Sequence, residues 1–338
     1  MSQVNMSTMS FIPPVFKEKH PRMHLIENIV VAASKAWETL NILSKGEKQS
    51  ALKMTAAIPL AILVPVLTLS LVSFAFFFHS FTFPFAVSSN WSRQNIKDHF
   101  QSSCKEAAAF SIAILTYLVD GSRFNPNPLP AGTKAAMTPI LLVNGYLHNS
   151  AAWHYFRYKL KQGNCGPIYT INLGSPFESI KEKAQKIKVF AEKIAEETGR
   201  NDLVLIGHSM GGISSIQYAT TLAPPNTVKA VITLGSPIKG TAMAKIMPGL
   251  AAKEMHYLSD FIARLTQNIM KAKNIRFFNF GSKTDLIVRP PNSATGNHAS
   301  HIITHEYDSC GHINYLYSID VVNDSLKCYH SVAKIYKE

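Results

Sequence analysis

The sequence predicts an α/β chain: a doubly wound, mostly parallel sheet preceded by an N-terminal helical membrane-anchor region. Three observations predict it. Beyond residue 137, short apolar runs rich in β-branched residues alternate with helical patterns, as strands joined by crossover helices do. Gly207-His208-Ser209-Met210-Gly211 reads G-x-S-x-G between one such run and one such helix. Residues 54–92 contain no Asp, Glu, Lys or Arg.

The elements follow in order. Residues 1–53 form a helical or irregular segment. Within it Leu25, Ile26, Ile29, Val30 and Ala33 recur at helical spacing, followed by Trp37, Leu40 and Leu43, so one amphipathic helix fits. Residues 54–92 form a transmembrane or membrane-inserted segment. Its densest part, Ala56 to Phe78, is nearly all Ala, Ile, Leu, Val and Phe, and about 20 such residues span a bilayer core as a helix. Pro59 and Pro65 impose only a kink that a membrane helix tolerates. Phe81, Phe83, Pro84 and Phe85 extend the apolar run and admit a re-entrant hairpin. With 53 residues ahead of it, the segment reads as a retained single-pass anchor rather than a cleaved leader. Lys45, Lys48 and Lys53 precede it and Arg93 and Lys97 follow, a bias toward an extracytoplasmic catalytic part.

Residues 93–136 hold a helix, about Asn95 to Tyr117, and a Pro- and Gly-rich linker from Gly121 to Gly132. Residues 137–338 form the catalytic domain. Strands are expected at Pro139–Asn144, Pro167–Leu173, Asp202–Gly207, Val228–Leu234, Ile275–Phe280 and His301–Glu306. Helices are expected at Ala151–Gln162, Phe177–Thr198 and Gly211–Leu222. The strands are apolar runs rather than alternations, so both of their faces are buried. Around 244–272, Met255, Leu258, Ile262, Leu265 and Ile269 recur at helical spacing. This stretch reads equally as a lid over an apolar pocket or as a packing helix with Tyr257 and Phe261 in the core.

The net charge of +13 is dispersed: residues 1–53 hold seven Lys or Arg against four Asp or Glu, and residues 89–338 hold 27 against 17. No basic stripe or nucleic-acid module is visible, so nucleic acid is not an expected partner, whereas an anionic membrane surface is. Cys104, Cys165, Cys310 and Cys328 form no C-x-x-C pair and leave both disulfides and free thiols open. No metal site is expected at His298, His301 and His305, and His301 and His305 read as facing alternate sides of a strand. No cofactor is implied, and the sequence is silent on oligomeric state.

The chemistry starts at Ser209. A hydroxyl becomes a good nucleophile when the backbone presents it on a tight turn and a base accepts its proton. In a strand–serine–helix arrangement the acid and then the histidine follow downstream. Asp285 lies just past the strand Ile275–Phe280, and His312 lies in the Gly-containing loop after the last strand. Asp285 would fix the imidazole tautomer and His312 would take the serine proton. Glu306 and Asp308 are rival acids, but they lie on the histidine's own strand and loop. The oxyanion needs two backbone N–H donors: Met210, after the nucleophile, and Tyr146, after the first strand of the domain, with Gly145 allowing close approach.

These stretches carry a family likeness. Residues 137–338 resemble the α/β-hydrolase superfamily, specifically lipases and esterases of the bacterial triacylglycerol-lipase type. The motifs are P-I-L-L-V-N-G-Y from Pro139, L-I-G-H-S-M-G-G from Leu205, T-L-G-S-P-I-K-G-T from Thr233 and G-S-K-T-D-L-I-V from Gly281. The chain departs from the family at Asn144, where His usually precedes the glycine, and at Lys239, where His is usual. The resemblance implies a serine hydrolase acting through an acyl-enzyme on lipid or small apolar esters, and the segment 54–92 would anchor it in a membrane. The same atoms also serve an acyltransferase or thioesterase, and the fold alone serves a non-catalytic module binding lipid or protein.

Overall fold

The computed structural model describes residues 93–118, 135–175 and 177–333. The segments expected at 1–53 and 54–92, with most of the Pro-rich linker, lie outside the described residues. Among the described residues no helix is long and apolar enough to cross a membrane.

Six strands form one sheet: β1 (Ile140–Val143), β2 (Ile168–Ile171), β3 (Leu203–His208), β4 (Val228–Leu234), β5 (Arg276–Ser282) and β6 (Ile302–Tyr307). Their order is β2-β1-β3-β4-β5-β6, and every neighbouring pair is parallel. The chain leaves β1 toward one edge, returns over it to β3, and then runs steadily to the other edge. The reversal between β1 and β3 is the switch point where doubly wound sheets place their ligands. The register aligns Val143 with Gly207, so both strands end at one level and open their following turns side by side.

Long helices cover both faces. α1 (Arg93–Leu118) precedes the sheet; α2 (His154–Gln162) follows β1, α3 (Ile180–Thr198) follows β2, and α4 (Met210–Thr221) follows β3. Next come α5 (Leu250–Glu254), α6 (Asp260–Lys271), α7 (Asn292–Thr295) and α8 (Ile319–Val332). α3 starts at a capping box in which Ser179 and Glu182 satisfy each other's backbone N–H, and it ends at Gly199 in the left-handed region. Its apolar face (Ile180, Ala184, Ile187, Ala191, Ile194) packs with α4 and α6 over Leu141, Leu205, Val231 and Phe277. Strand side chains alternate, so the neighbours of those residues point to the other face. There α8 packs on β4 and α2, and α1 lies against the 3₁₀ turns Ser150–Trp153 and Asn314–Leu316.

The stretch around 244–272 is mostly packing. Ile262, Leu265 and Ile269 of α6 are buried against the core, and α6 contacts α4. The core position expected for Tyr257 is corrected: its ring is half exposed, because it sits in the turn before α6 rather than on the buried stripe, while Phe261 is partly buried. His301 and His305 do not alternate across a strand. His301 precedes β6 and is buried with Nε2 2.9 Å from the Ile269 carbonyl oxygen. His305 is exposed beside Asp324. Among the described residues no group of three or more His, Cys, Asp or Glu is placed to hold a metal. All four cysteines are free.

Candidate active site

The site lies along the carboxyl ends of the strands, and it begins with strained backbone. Ser209 follows β3 with φ 53° and ψ −124°, a conformation that costs a non-glycine residue about 1–3 kcal/mol. Its amide donates to the Leu234 carbonyl oxygen at 2.9 Å, which ties the turn to β4. The strained turn lifts the side chain off the sheet. α4 begins at the next residue, so Met210 is at the first helical position and its N–H has no acceptor within the helix.

Asp285 lies in the turn after β5, nearly fully buried. Its Oδ1 accepts from the N–H of Ile287 at 2.8 Å and of Val288 at 3.0 Å. That leaves Oδ2, which is 2.9 Å from His312 Nδ1. The geometry fixes the tautomer: Nδ1 carries the hydrogen toward the carboxylate, and bare Nε2 faces Ser209 Oγ at 3.0 Å. The structure thus brings Ser209, Asp285 and His312 into one hydrogen-bonded chain, from positions 103 and 27 residues apart. Burial acts to lower the imidazole pKa, but the Asp285 charge and hydrogen bond, with help from Glu106, outweigh it and leave His312 raised.

The turn after β1 lies against the serine. A methyl group built on Gly145 would sit 3.2 Å from Ser209 Cβ and 2.8 Å from His208 Nδ1, so no side chain fits there. Asn144 organises the turn: Nδ2 donates to the carbonyl oxygens of His148 at 2.5 Å and Gly145 at 3.1 Å, and Oδ1 accepts from Leu173 N–H at 3.2 Å. Tyr146 follows, its hydroxyl donating to the Pro248 carbonyl oxygen at 2.6 Å.

Two residues of the site were not singled out from the sequence. His208, inside the G-x-S-x-G motif, is fully buried with its ring centroid 4.9 Å from that of His312. Its Nε2 donates to the His312 carbonyl oxygen at 2.8 Å, and burial together with the His312 charge holds its pKa well below the usual imidazole value, so it stays neutral. Glu106, on α1, accepts from Ile313 N–H at 2.8 Å and Asn314 N–H at 3.0 Å. The motif itself could have pointed to His208; nothing in its local sequence marks Glu106.

The chain and its fold resemble known proteins. A family model described as serine aminopeptidase, S33, matches residues 175–307. The mature form of a Bacillus licheniformis lipase superposes with a TM-score of 0.51 at 16% identity, covering 61% of this chain and 98% of that one. The chain has the fold of that lipase. Among curated proteins, a triacylglycerol lipase of Burkholderia plantarii is 26% identical over 155 residues, 43% of this chain and 42% of that protein. A triacylglycerol lipase of Pseudarthrobacter phenanthrenivorans is 26% identical over 144 residues, 40% of this chain and 44% of its own length. The chain thus spans less than half the length of these curated relatives.

Proposed function

We propose that this chain is an α/β-hydrolase that cleaves carboxylic esters of apolar acyl chains through an acyl-enzyme on Ser209. The single observation that carries the reading is the Ser209–His312–Asp285 chain, buried at a strained turn with the tautomer already set. His312 Nε2 takes the hydroxyl proton as Oγ bonds the acyl carbon. Asp285 holds the ring and stabilises the imidazolium. The N–H groups of Met210 and Tyr146 receive the negative charge on the former carbonyl oxygen, where each such donor contributes about 3–4 kcal/mol. The imidazolium then gives its proton to the leaving alcohol. Water activated by His312 releases the acid.

Apolar substrates are supported by the curated relatives, named triacylglycerol lipases, and by the rim of the site. Leu147, Phe177, Ile246 and Leu250 are all exposed. They lie on segments tied to the oxyanion turn and to each other: Tyr146 bonds to Pro248, and Leu250 N–H to the Phe177 carbonyl oxygen. Residues 54–92, as a single-pass anchor, would bring this rim to a bilayer with the catalytic domain outside the cytoplasm.

The family model's description favours a second reading, removal of N-terminal residues from peptides. An aminopeptidase needs a free carboxylate near the serine for the substrate ammonium. The two carboxylates beside His312, Asp285 and Glu106, already accept from backbone N–H groups. The test is hydrolysis of p-nitrophenyl esters of graded chain length by the detergent-solubilised chain, with an aminoacyl anilide alongside. Faster turnover of long chains, lost in Ser209→Ala, supports the lipase reading. Turnover of the anilide alone would replace it.

A further inference from the structure

Glu106 is an acid whose carboxyl group is enclosed by protein and accepts backbone amides of the loop after β6. It stands on α1, which precedes the sheet and lies outside the region that resembles lipases. Its side chain keeps some contact with solvent, but the carboxyl group is enclosed between α1 and the loop after β6, and this burial raises its pKa to about 7. Both oxygens face the loop: Oε1 and Oε2 accept from Ile313 N–H at 2.8 and 3.0 Å, and Oε2 also accepts from Asn314 N–H at 3.0 Å. Gly311 fits against it, since a Cβ there would come within 2.7 Å of Glu106 Cδ. The same helix holds the loop on the other side of His312. Lys105 Nζ donates to the Ser309 carbonyl oxygen at 3.3 Å, and Ser309 Oγ donates to that of Asp98 at 3.2 Å. His208 takes the loop from the sheet side through the His312 carbonyl oxygen.

We infer that Glu106 is a positioning residue of the active site: it fixes the His312 loop through Ile313 and Asn314 and sets a negative charge beside the imidazolium. The inference rests on the reading of Ser209, His312 and Asp285 as catalytic. In the acylation step the Ser209 proton passes to His312 Nε2 while Oγ bonds the acyl carbon. Glu106 exchanges no proton in that step; it acts on the ring through the loop and through space. The ionisable groups that share its surroundings are His312 and Cys310 on the loop, Asp285 after β5, Tyr315 on the following turn and Lys105 on α1 itself. Of these, His312 is the one whose charge changes during the reaction. A helix ahead of the α/β sheet therefore completes the site, and residues 93–118 belong to the catalytic unit.

The test measures fluorophosphonate labelling of the full-length chain against pH, because labelling needs His312 to take the serine proton and needs no known substrate. Glu106→Gln keeps an acceptor for the loop amides and removes the charge. Its acid limb should move to lower pH by about half a unit or more, with the plateau held within about threefold. Glu106→Asp keeps the charge and withdraws it by one methylene. Its acid limb should stay, and its plateau should fall about tenfold as the loop amides lose their acceptor. Profiles of both variants that superimpose on the wild type overturn the inference. If circular dichroism finds the Gln variant unfolded, an Asp variant that folds and labels at the wild-type rate overturns it alone. A wild-type chain that takes no label at Ser209 instead overturns the catalytic reading beneath it.

Discussion

Replacing Asp285 with Asn tests the tautomer argument most sharply, because the shape is kept and only hydrogens change. Oδ1 of Asp285 accepts two backbone amides, from Ile287 and Val288, so the Asn oxygen is held there and its NH₂ is turned toward His312. Two donors then face each other across the 2.9 Å now spanned by Nδ1 and Oδ2. The ring relieves this by moving its hydrogen to Nε2, where it meets Ser209 Oγ and blocks proton transfer. Losing the charge-assisted bond costs about 1.5–3 kcal/mol, and restoring the productive tautomer against an unpaired donor costs about 1–3 more. The sum is roughly 3–6 kcal/mol, or about 10²–10⁴ in kcat. The same exchange in the serine-protease template gives about 10⁴. The assay is kcat on a soluble p-nitrophenyl ester, with thermal unfolding to check the fold. A folded Asp285→Asn protein within threefold of the wild type would refute the reasoning.

Other outcomes follow from the same geometry. Gly145→Ala should lower kcat about tenfold to a hundredfold by pushing the oxyanion turn off Ser209, with KM little changed; an unaltered kcat would remove the turn from the chemistry. Activity should fall on acidification with a midpoint above the ordinary imidazole value of about 6.5, since His312 is raised and its charged form accepts no proton; a midpoint near 5 would contradict this. Glu106 is raised from 4.5 to about 7, so the folded state binds its proton more tightly, and the stability this contributes is complete below 4.5 and lost as pH rises through 7. The Tm of Glu106→Gln relative to wild type should therefore be higher at pH 8 than at pH 5, and a pH-independent difference would count against the buried carboxylate. Ile246→Ser should lower long-chain ester turnover about threefold or more relative to acetate; equal losses on both would place the rim outside the acyl path.

Much of this was legible because the physics was local. Strands β1, β3 and β4 are short runs of Ile, Leu and Val that declare burial on both faces. The serine motif sits between strand and helix, and the order of Asp285 and His312 follows from it. What stayed hidden was non-local. Lys105-Glu106 reads as a solvated charge pair on a helix, and the amides that Glu106 accepts from lie 207 residues away. On the sequence alone, residues 93–136 therefore stand apart from the catalytic domain. Asn144 reads as a departure from the family, because the hydrogen bond it accepts from Leu173 exists only once β2 is beside β1. Tyr257 looked like core because apolar spacing marks the period of a helix but not where the helix starts.

Mass spectrometry of the fluorophosphonate-treated chain, with peptide mapping, tests the central claim most directly. One adduct on Ser209 in the wild type, absent in Ser209→Ala and strongly slowed in His312→Ala, is the predicted result. An adduct at another residue, or labelling of Ser209 at the same rate without His312, would contradict it.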